Sequence, residues 1–310
     1  MEFPTHILFC ENPLEINKID PDFEDEYLSA KKNLFPTILF NFDDFTTGGD
    51  VYYATRRIKS SEKLTPVIYR GWMLTPKQYG ELYQILLQKN YELINTPVEY
   101  QNCHYLPDSL RFIENKTPRT VFKKFTGEDS LVNLIEKAKI FNGNAVMLKD
   151  FVKSEKHDWD SACFVTSAAD QKDLRRVINN LIELRGKYLN DGIVIREFLD
   201  LNALANHSIS GMPIKEEYRL FFFNKRLLGM YEYWEEGDYV LSKPGIEEFE
   251  AVAIEIESNF FTMDIARKTN GELIIIELGD GQVSGLSDKV DKNEFYRQLK
   301  QLTSGFNPPS

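Results

Sequence analysis

The sequence predicts a mixed fold, an α/β module of roughly a hundred residues followed by two α+β lobes. Three observations lead there. The first hundred residues alternate short apolar runs, two of them opened by proline, with an amphipathic helical stretch. The middle of the chain reads strand, strand, helix, strand, and the last third carries two hairpin signals around one helical stretch. With 310 residues the chain has room for more than one core, and the expected divisions are 1–104, 105–197 and 198–310.

In the first module, Pro36-Thr37-Ile38-Leu39-Phe40-Asn41 and Pro66-Val67-Ile68-Tyr69 read as buried strands, being short and rich in apolar or β-branched residues. Between Pro76 and Asn90, Tyr79, Leu82, Ile85 and Leu86 recur at helical spacing and supply a face to lay on a sheet. The second block starts near Thr117-Pro118. Leu131, Leu134, Ile135 and Ala138 mark a helix entered through Glu128, Asp129 and Ser130. The turn Asn142-Gly143-Asn144 leads into a strand over 145–149, and a second strand is expected over 162–166. Leu174, Val177, Ile178, Leu181 and Ile182 set out another helix, stopped by Gly186, and Gly192–Glu197 closes the block as a strand.

The third block pairs Tyr218–Phe223 with Arg226–Trp234 across Asn224-Lys225, the expected two-residue turn. A helical stretch follows between Gly245 and Ser258. The strands Phe260–Ile265 and Glu272–Glu277 are then joined through Lys268-Thr269-Asn270-Gly271, whose Asn-Gly is a hairpin signal. No repeat or low-complexity tract is present, and only the last few residues read as disordered.

Composition narrows the function. A net charge of −11, from 48 acidic and 37 basic residues, argues against a protein that coats nucleic acid or an anionic membrane. Cys10, Cys103 and Cys163 are scattered without CxxC spacing, so neither a disulfide framework nor a zinc knuckle is indicated, and a reducing cytoplasm fits. The first residues lack a basic, apolar leader, and no run approaches the roughly 18 apolar residues of a membrane span. Gly-x-Ser-x-Gly, His-Glu-x-x-His and Walker-type glycine patterns are absent.

Several charged residues sit where mere solvation is a poor reason for them. Asp264 and Glu277 are expected at the ends of the two strands of the last hairpin, which could bring both carboxylates to one face; two such groups repel unless a cation lies between them, and magnesium suits that donor set. A strand-end carboxylate that only caps or solvates weighs about equally on spacing alone; the buried run Ile274-Ile275-Ile276 before Glu277 favours the metal. Lys149 closes a buried strand and heads the cluster Lys149-Asp150-Phe151-Val152-Lys153-Ser154-Glu155-Lys156-His157, where a phosphate or simple snorkelling would satisfy it. Arg196-Glu197 ends another strand. Glu217 and Arg219 are two apart on one strand face and could pair with each other, or Arg219 could meet a phosphate or a substrate carboxylate. Arg70 stands at a strand's C-terminal end, where open α/β sheets place ligands. His104 and His157 are isolated, a pattern more often structural than catalytic.

The order of these clusters resembles the ATP-grasp superfamily over roughly residues 105–290, with the first module similar to the pre-ATP-grasp domain that precedes it. Tyr69-Arg70-Gly71-Trp72-Met73, Lys149-Asp150-Phe151-Val152-Lys153-Ser154 and Glu277-Leu278-Gly279-Asp280-Gly281-Gln282 resemble in particular a divergent bacterial and phage clade defined by one arginine and two lysines. The resemblance implies a pre-ATP-grasp α/β domain followed by a two-lobed ATP-grasp fold, with ATP between the lobes. It implies Lys149 and Lys153 on phosphates, Arg196, Glu197 and the following hinge at the nucleotide with Glu217 reaching the ribose, Arg70 at the substrate, Arg219 near phosphates or substrate, and Mg2+ on Asp264 and Glu277. The implied reaction phosphorylates a small-molecule or peptide carboxylate, and an amine or thiol then captures the acyl phosphate with release of ADP. Two departures stand out: Gly279 occupies the place of the usual asparagine ligand, leaving Asp280 as the candidate replacement, and Lys153, Lys156 and His157 stand where relatives carry a glycine-rich loop. A non-catalytic nucleotide- or peptide-binding module and a nucleotidyl-transferring nucleic-acid ligase are the rival readings.

Overall fold

The computed structural model describes residues 4–47, 50–206, 208, 213–239 and 245–304; the tail read as disordered lies outside them. Apolar runs at the start of the chain, bracketed by polar helices, give β1 (His6–Cys10), α1 (Glu24–Lys32), β2 (Thr37–Phe40), α2 (Phe42–Thr46), α3 (Val51–Ala54), β3 (Thr65–Arg70), α4 (Pro76–Leu87) and β4 (Tyr91–Leu93). The four strands form a parallel sheet in the order β2-β1-β3-β4. Helix α4 begins at a complete capping box, Thr75 with Gln78, and buries Tyr79, Leu82, Ile85 and Leu86 as the spacing predicts. Alternate residues of β1 and β3 feed two cores. Leu8, Val67 and Tyr69 face α4, whereas Ile7, Phe9 and Ile68 face α1.

Two helices, α5 (Pro97–His104) and α6 (Leu106–Ile113), carry the chain onward. The second block comprises β5 (Thr120–Lys124), α7 (Glu128–Lys137), β6 (Val146–Asp150), β7 (Phe164–Val165), α8 (Gln171–Arg185) and β8 (Gly192–Glu197). Its antiparallel sheet runs β5-β8-β6-β7, with α7 and α8 packed on the face that carries Leu148, Ile193 and Ile195. Gly186 ends α8 with φ +48°, a conformation that costs an L side chain. The strand expected over 162–166 shrinks to two residues. Trp159–Cys163 forms a wide helical turn instead, because α8 captures its carbonyls: Arg176 donates to Asp160 O at 3.3 Å and Asn180 to Ser161 O at 2.8 Å.

The third block holds a short hairpin, β9 (Ala203–Asn206) with β10 (Pro213–Lys215), and then β11 (Glu217–Phe223), β12 (Arg226–Glu232), α9 (Glu247–Glu255), β13 (Phe260–Arg267), β14 (Leu273–Asp280) and α10 (Lys292–Thr303). The large antiparallel sheet runs β12-β11-β13-β14. Asn224 and Lys225 both take positive φ, as the tight turn between β11 and β12 requires. Leu220, Phe222 and Met263 pack under α9, while Phe221, Phe223 and Phe260 share a core with α10 and the outer face of the first module. Both strands of the last hairpin run past the carboxylates expected at their ends, so Asp264 and Glu277 lie inside β13 and β14. No described helix is long and apolar enough to cross a membrane.

Arg70 ends β3, as the sequence places it, but its side chain turns into the protein. Its side chain is fully buried, held by Glu26 at 2.9 and 2.8 Å, and it donates to the carbonyls of Gly281 and Ser284 at 2.5 and 2.8 Å. Tyr296 donates to the same Glu26 carboxylate at 2.7 Å. Expected to act on substrate, Arg70 instead joins β3, α1, α10 and the loop after β14, because a guanidinium at the buried end of a strand needs several acceptors and finds them there. Trp72 beside it is partly exposed and donates to Asp20 at 2.9 Å. Removing one partner of a buried pair strands the other, so Arg70→Leu should destabilise the fold by about 3–5 kcal/mol. Urea unfolding of the variant measures this; an unchanged midpoint with lost activity would restore the substrate role.

Candidate active site

The site grows from one row of cross-strand neighbours. In the register of the large sheet Arg219 on β11 faces Asp264 on β13, and Asp264 faces Glu277 on β14. A bulge immediately after Asp264 and Glu277 places two residues of β14, Ile276 being the extra one, against one step of β13. Arg219 holds Asp264 bidentately, Nε to Oδ1 at 2.8 Å and Nη2 to Oδ2 at 2.7 Å. From the second block, Lys149 reaches across and donates to Glu277 Oε2 at 2.6 Å. The row therefore reads cation, anion, anion, cation, with the outer pair on different lobes.

The neighbours of this row set its electrostatics. Burial works to raise Glu277, but Lys149 beside it, helped by Lys156 and Arg196, holds the carboxyl at about 2. For Asp264 burial wins over Arg219 and raises the carboxyl. Glu217, on the same strand face as Arg219, is buried, and no hydrogen bond or ion pair to its carboxylate is found among the described residues; burial pushes it up to about 7, with Asp264 and Glu277 adding and Lys156 opposing. Arg219 also lies over the Tyr233 ring at 4.7 Å and donates to Gly285 O at 3.2 Å. The Glu217–Arg219 pair that spacing permits does not form.

Arg196 is buried on the Lys149 face of its sheet. It donates to Ile276 O and Thr117 Oγ1 at 2.7 Å each, gripping the bulge of β14, and burial lowers its pKa to about 10. Lys153 follows a turn pinned by Asp150, which accepts the backbone N–H groups of Val152 and Lys153 at 2.7 and 2.5 Å and the Arg185 guanidinium at 2.9 Å. Its own ammonium is lowered by crowding in the cleft, where Lys149 and Arg185 add their charge and Glu277 opposes them. Asp150 is buried and fully engaged, an arrangement unlike a free nucleophile motif at Lys149-Asp150-Phe151.

A family model for the ATP-grasp domain, family 3 of the clade named for one arginine and two lysines, matches residues 141–299. The chain belongs to that family. Solved structures agree in fold. A RimK domain protein ATP-grasp from Sphaerobacter thermophilus DSM 20745 is 11% identical, with 97% of this chain and 100% of that one covered and a TM-score of 0.58. The D-alanine–D-alanine ligase from Bacillus anthracis complexed with ATP is 12% identical over 97% and 96%, TM-score 0.55. ATP-grasp ligase PsnB complexed with minimal precursor, Mg, and ADP is 11% identical over 96% and 98%, TM-score 0.54. No curated protein matches the sequence.

Within the ATP-grasp frame two expected residues leave the cleft. Glu197 falls on the helix-packed face of β8 and gives both oxygens to Arg119, at 3.0 and 2.9 Å; strand alternation separates it from Arg196. Asp280 lies on the face of β14 opposite Glu277, buried, accepting from Asn95 at 2.6 Å and from the Gln282 backbone at 2.9 Å. It does not join Asp264 and Glu277. The asparagine position is closed as well, since a Cβ on Gly279 would come within 2.6 Å of Thr262 Oγ1 and 2.8 Å of Ser284 Oγ. Those hydroxyls, 2.9 Å apart, fill the space. Among the described residues no group of three or more metal-ligating side chains gathers.

One residue of the cleft was read from the sequence as structural. His104 ends α5, lies between the rings of Tyr100 and Tyr105, and is lowered to about 3 by burial and by the Lys153 and Lys149 charges beside it. Tertiary contacts bring it there, among them Leu106 N to Phe151 O at 2.9 Å and the Tyr105 ring on Phe151, and an isolated sequence carries no trace of them. Removing the cation from the central pair should be visible at its anion. In Lys149→Met the Glu277 carboxyl should titrate well above about 2, as carbon-detected NMR of the side-chain carboxyl will measure; an unmoved titration would mean that Lys149 does not set this charge.

Proposed function

We propose that the chain is an ATP- and magnesium-dependent ligase that joins a carboxylate to an amine through an acyl phosphate, releasing ADP. The observation that carries this reading is the row Arg219, Asp264, Glu277, Lys149, two carboxylates flanked by two cations at the junction of two lobes. Two fold relatives, one complexed with ATP and one with precursor, Mg and ADP, support the same cofactors. Asp264 and Glu277 fit magnesium, which takes one or two carboxylates and completes its shell with water and phosphate oxygens. When bound, the metal neutralises charge that develops on the transferred phosphoryl group.

The chain's own residues have distinct parts in this reading. Lys149 and Lys153 receive the phosphates, with His104 close behind them. Arg196 keeps the bulge of β14 at its depth and so aims Glu277. Arg219 orients the carboxylate donor, one of whose oxygens attacks the γ-phosphorus while the bond to ADP breaks. An amine nitrogen then attacks the acyl carbon, inorganic phosphate departs with the bonding electrons, and the nitrogen gives up a proton. Preorganised cations at both ends of the row cost no reorganisation at that moment.

The closed third-ligand position at Gly279 favours a second reading, a nucleotide- or peptide-binding module without turnover. Calorimetric titration of Mg-ATP into wild type, Glu277→Ala and Lys149→Ala separates the two when followed by an ADP assay with amino-acid and peptide pools. Expected are binding abolished in Glu277→Ala, a loss of about 10- to 100-fold in Lys149→Ala from one charge-assisted bond, and ADP only when a pool is present. Binding without ADP in every pool leaves the module; pyrophosphate with a labelled protein points to nucleotidyl transfer instead.

A further inference from the structure

Beside Arg219, on the β12 side, lies a cavity of about 370 Å³. That volume is at the small end for ligand sites, roughly 300–1,000 Å³, and holds an amino acid or one residue of a peptide. The walls are aromatic, including Tyr233 and Trp234, and the loop after β14 backs them. Three glutamates line it, Glu232, Glu235 and Glu236, against Arg219 as the sole cation among the described lining residues. Arg219 is matched by Asp264, and Lys289 at 3.2 Å from Glu232 offsets one glutamate. Glu235 accepts a neutral donor, the Asp288 N–H at 3.3 Å, which leaves its charge to the cavity. The lining is thus net negative at Glu235.

A second feature of the same cavity is independent of its charge. The indole N–H of Trp234 is buried and meets no acceptor among the described residues. That N–H is enclosed by the protein and has no surface open to the cavity, so what Trp234 offers a ligand is the face of its ring. The Trp234 ring already attracts one cation, Lys156 at 5.7 Å from across the cleft.

We propose that this cavity takes the amine substrate of the ligase, and that this substrate is a basic amino acid or the basic residue of a short peptide. The inference rests on the ligase reading for the word substrate, and on the cavity alone for the charge. An acidic side chain here would face like charges, which costs binding; a lysine or arginine side chain finds carboxylates and aromatic faces. The carboxylate donor must then enter from the other side of Arg219.

The test uses the full chain and four probes, L-lysine, L-glutamate, Ala-Lys-Ala and Ala-Glu-Ala, titrated with and without Mg and a non-hydrolysable ATP analogue while Mg-ATP binding is followed on the same samples. The lysine probes should bind about tenfold or more tightly than their glutamate counterparts. Glu235 is exposed, so Glu235→Lys should keep the fold and the Mg-ATP affinity while erasing or reversing the preference. Equal or tighter binding of the glutamate probes, binding of none, or a preference indifferent to Glu235→Lys would overturn the proposal. A chain that binds ATP and releases ADP only with acidic amines loses this inference and keeps the ligase; one that prefers lysine probes yet never binds ATP does the reverse.

Discussion

Two carboxylates set directly opposite each other on neighbouring strands are the constraint from which the rest follows. Asp264 and Glu277 would destabilise β13 and β14 if left alone, because like charges across a strand pair repel and burial removes the water that would screen them. Arg219 answers the first from the next strand. The second is answered from another lobe altogether, by Lys149, so the pairing that quiets the hairpin also ties the two sheets across the cleft. Arg196 grips the same strand at its bulge, and Thr117 donates to Ile275 O at 2.8 Å beside it. The interface between lobes is therefore polar along this row.

The first module does more than precede the lobes. Its outer sheet face shares a core with β11, β13 and α10, and two buried polar seams fasten it to the loop that follows β14. In one, Arg70 takes the carbonyls of Gly281 and Ser284; in the other, Asn95 and Tyr79 meet Asp280 and Gln282, with Gln282 Nε2 to Tyr79 oxygen at 2.8 Å. That loop supplies Gly285 O to Arg219 and Ser284 Oγ to the space beside Gly279. A module remote from the row in sequence thereby sets the shape of one side of it, and buried polar contacts of this kind are costly to break singly.

Much of this is legible in the sequence. Short apolar runs and helical spacing mark β2, β3, α4, α7, β6, α8, β8 and the large hairpins but not β1, β4, β5, α5 or α6; Asn224-Lys225 turns where expected, and Asp264, Glu277, Lys149 and Arg219 come together. The misplacements share a cause. Strand alternation tells which residues share a face but not which face looks into a cleft, so Glu197 and Asp280 were grouped with Arg196 and Glu277, from which they are turned away. Arg70 reads as a ligand residue from its strand-end position alone; its acceptors on Glu26, Gly281 and Ser284 are up to 214 residues distant in sequence. The helical turn at Trp159–Cys163 depends on carbonyls taken by α8, again a tertiary fact.

The resting state of the row explains how such a site can be stable and still receive a highly charged ligand. Every anion of the central pair has its own cation, and on the proposed reading each of those cations has a second partner waiting: phosphate for Lys149, a carboxylate for Arg219. Entry of metal and nucleotide together brings positive charge to Asp264 and Glu277 at the same time as negative charge to Lys149, so partners are exchanged and no ion is left bare. Either component alone would leave one side of the row uncompensated in a buried setting, where an unpaired charge costs several kcal/mol, on the order of the loss from breaking a buried pair. On that proposed reading the two binding events are coupled through Glu277, which stands on one lobe, is held by the lysine of the other, and keeps its carboxyl ionised far below neutral pH.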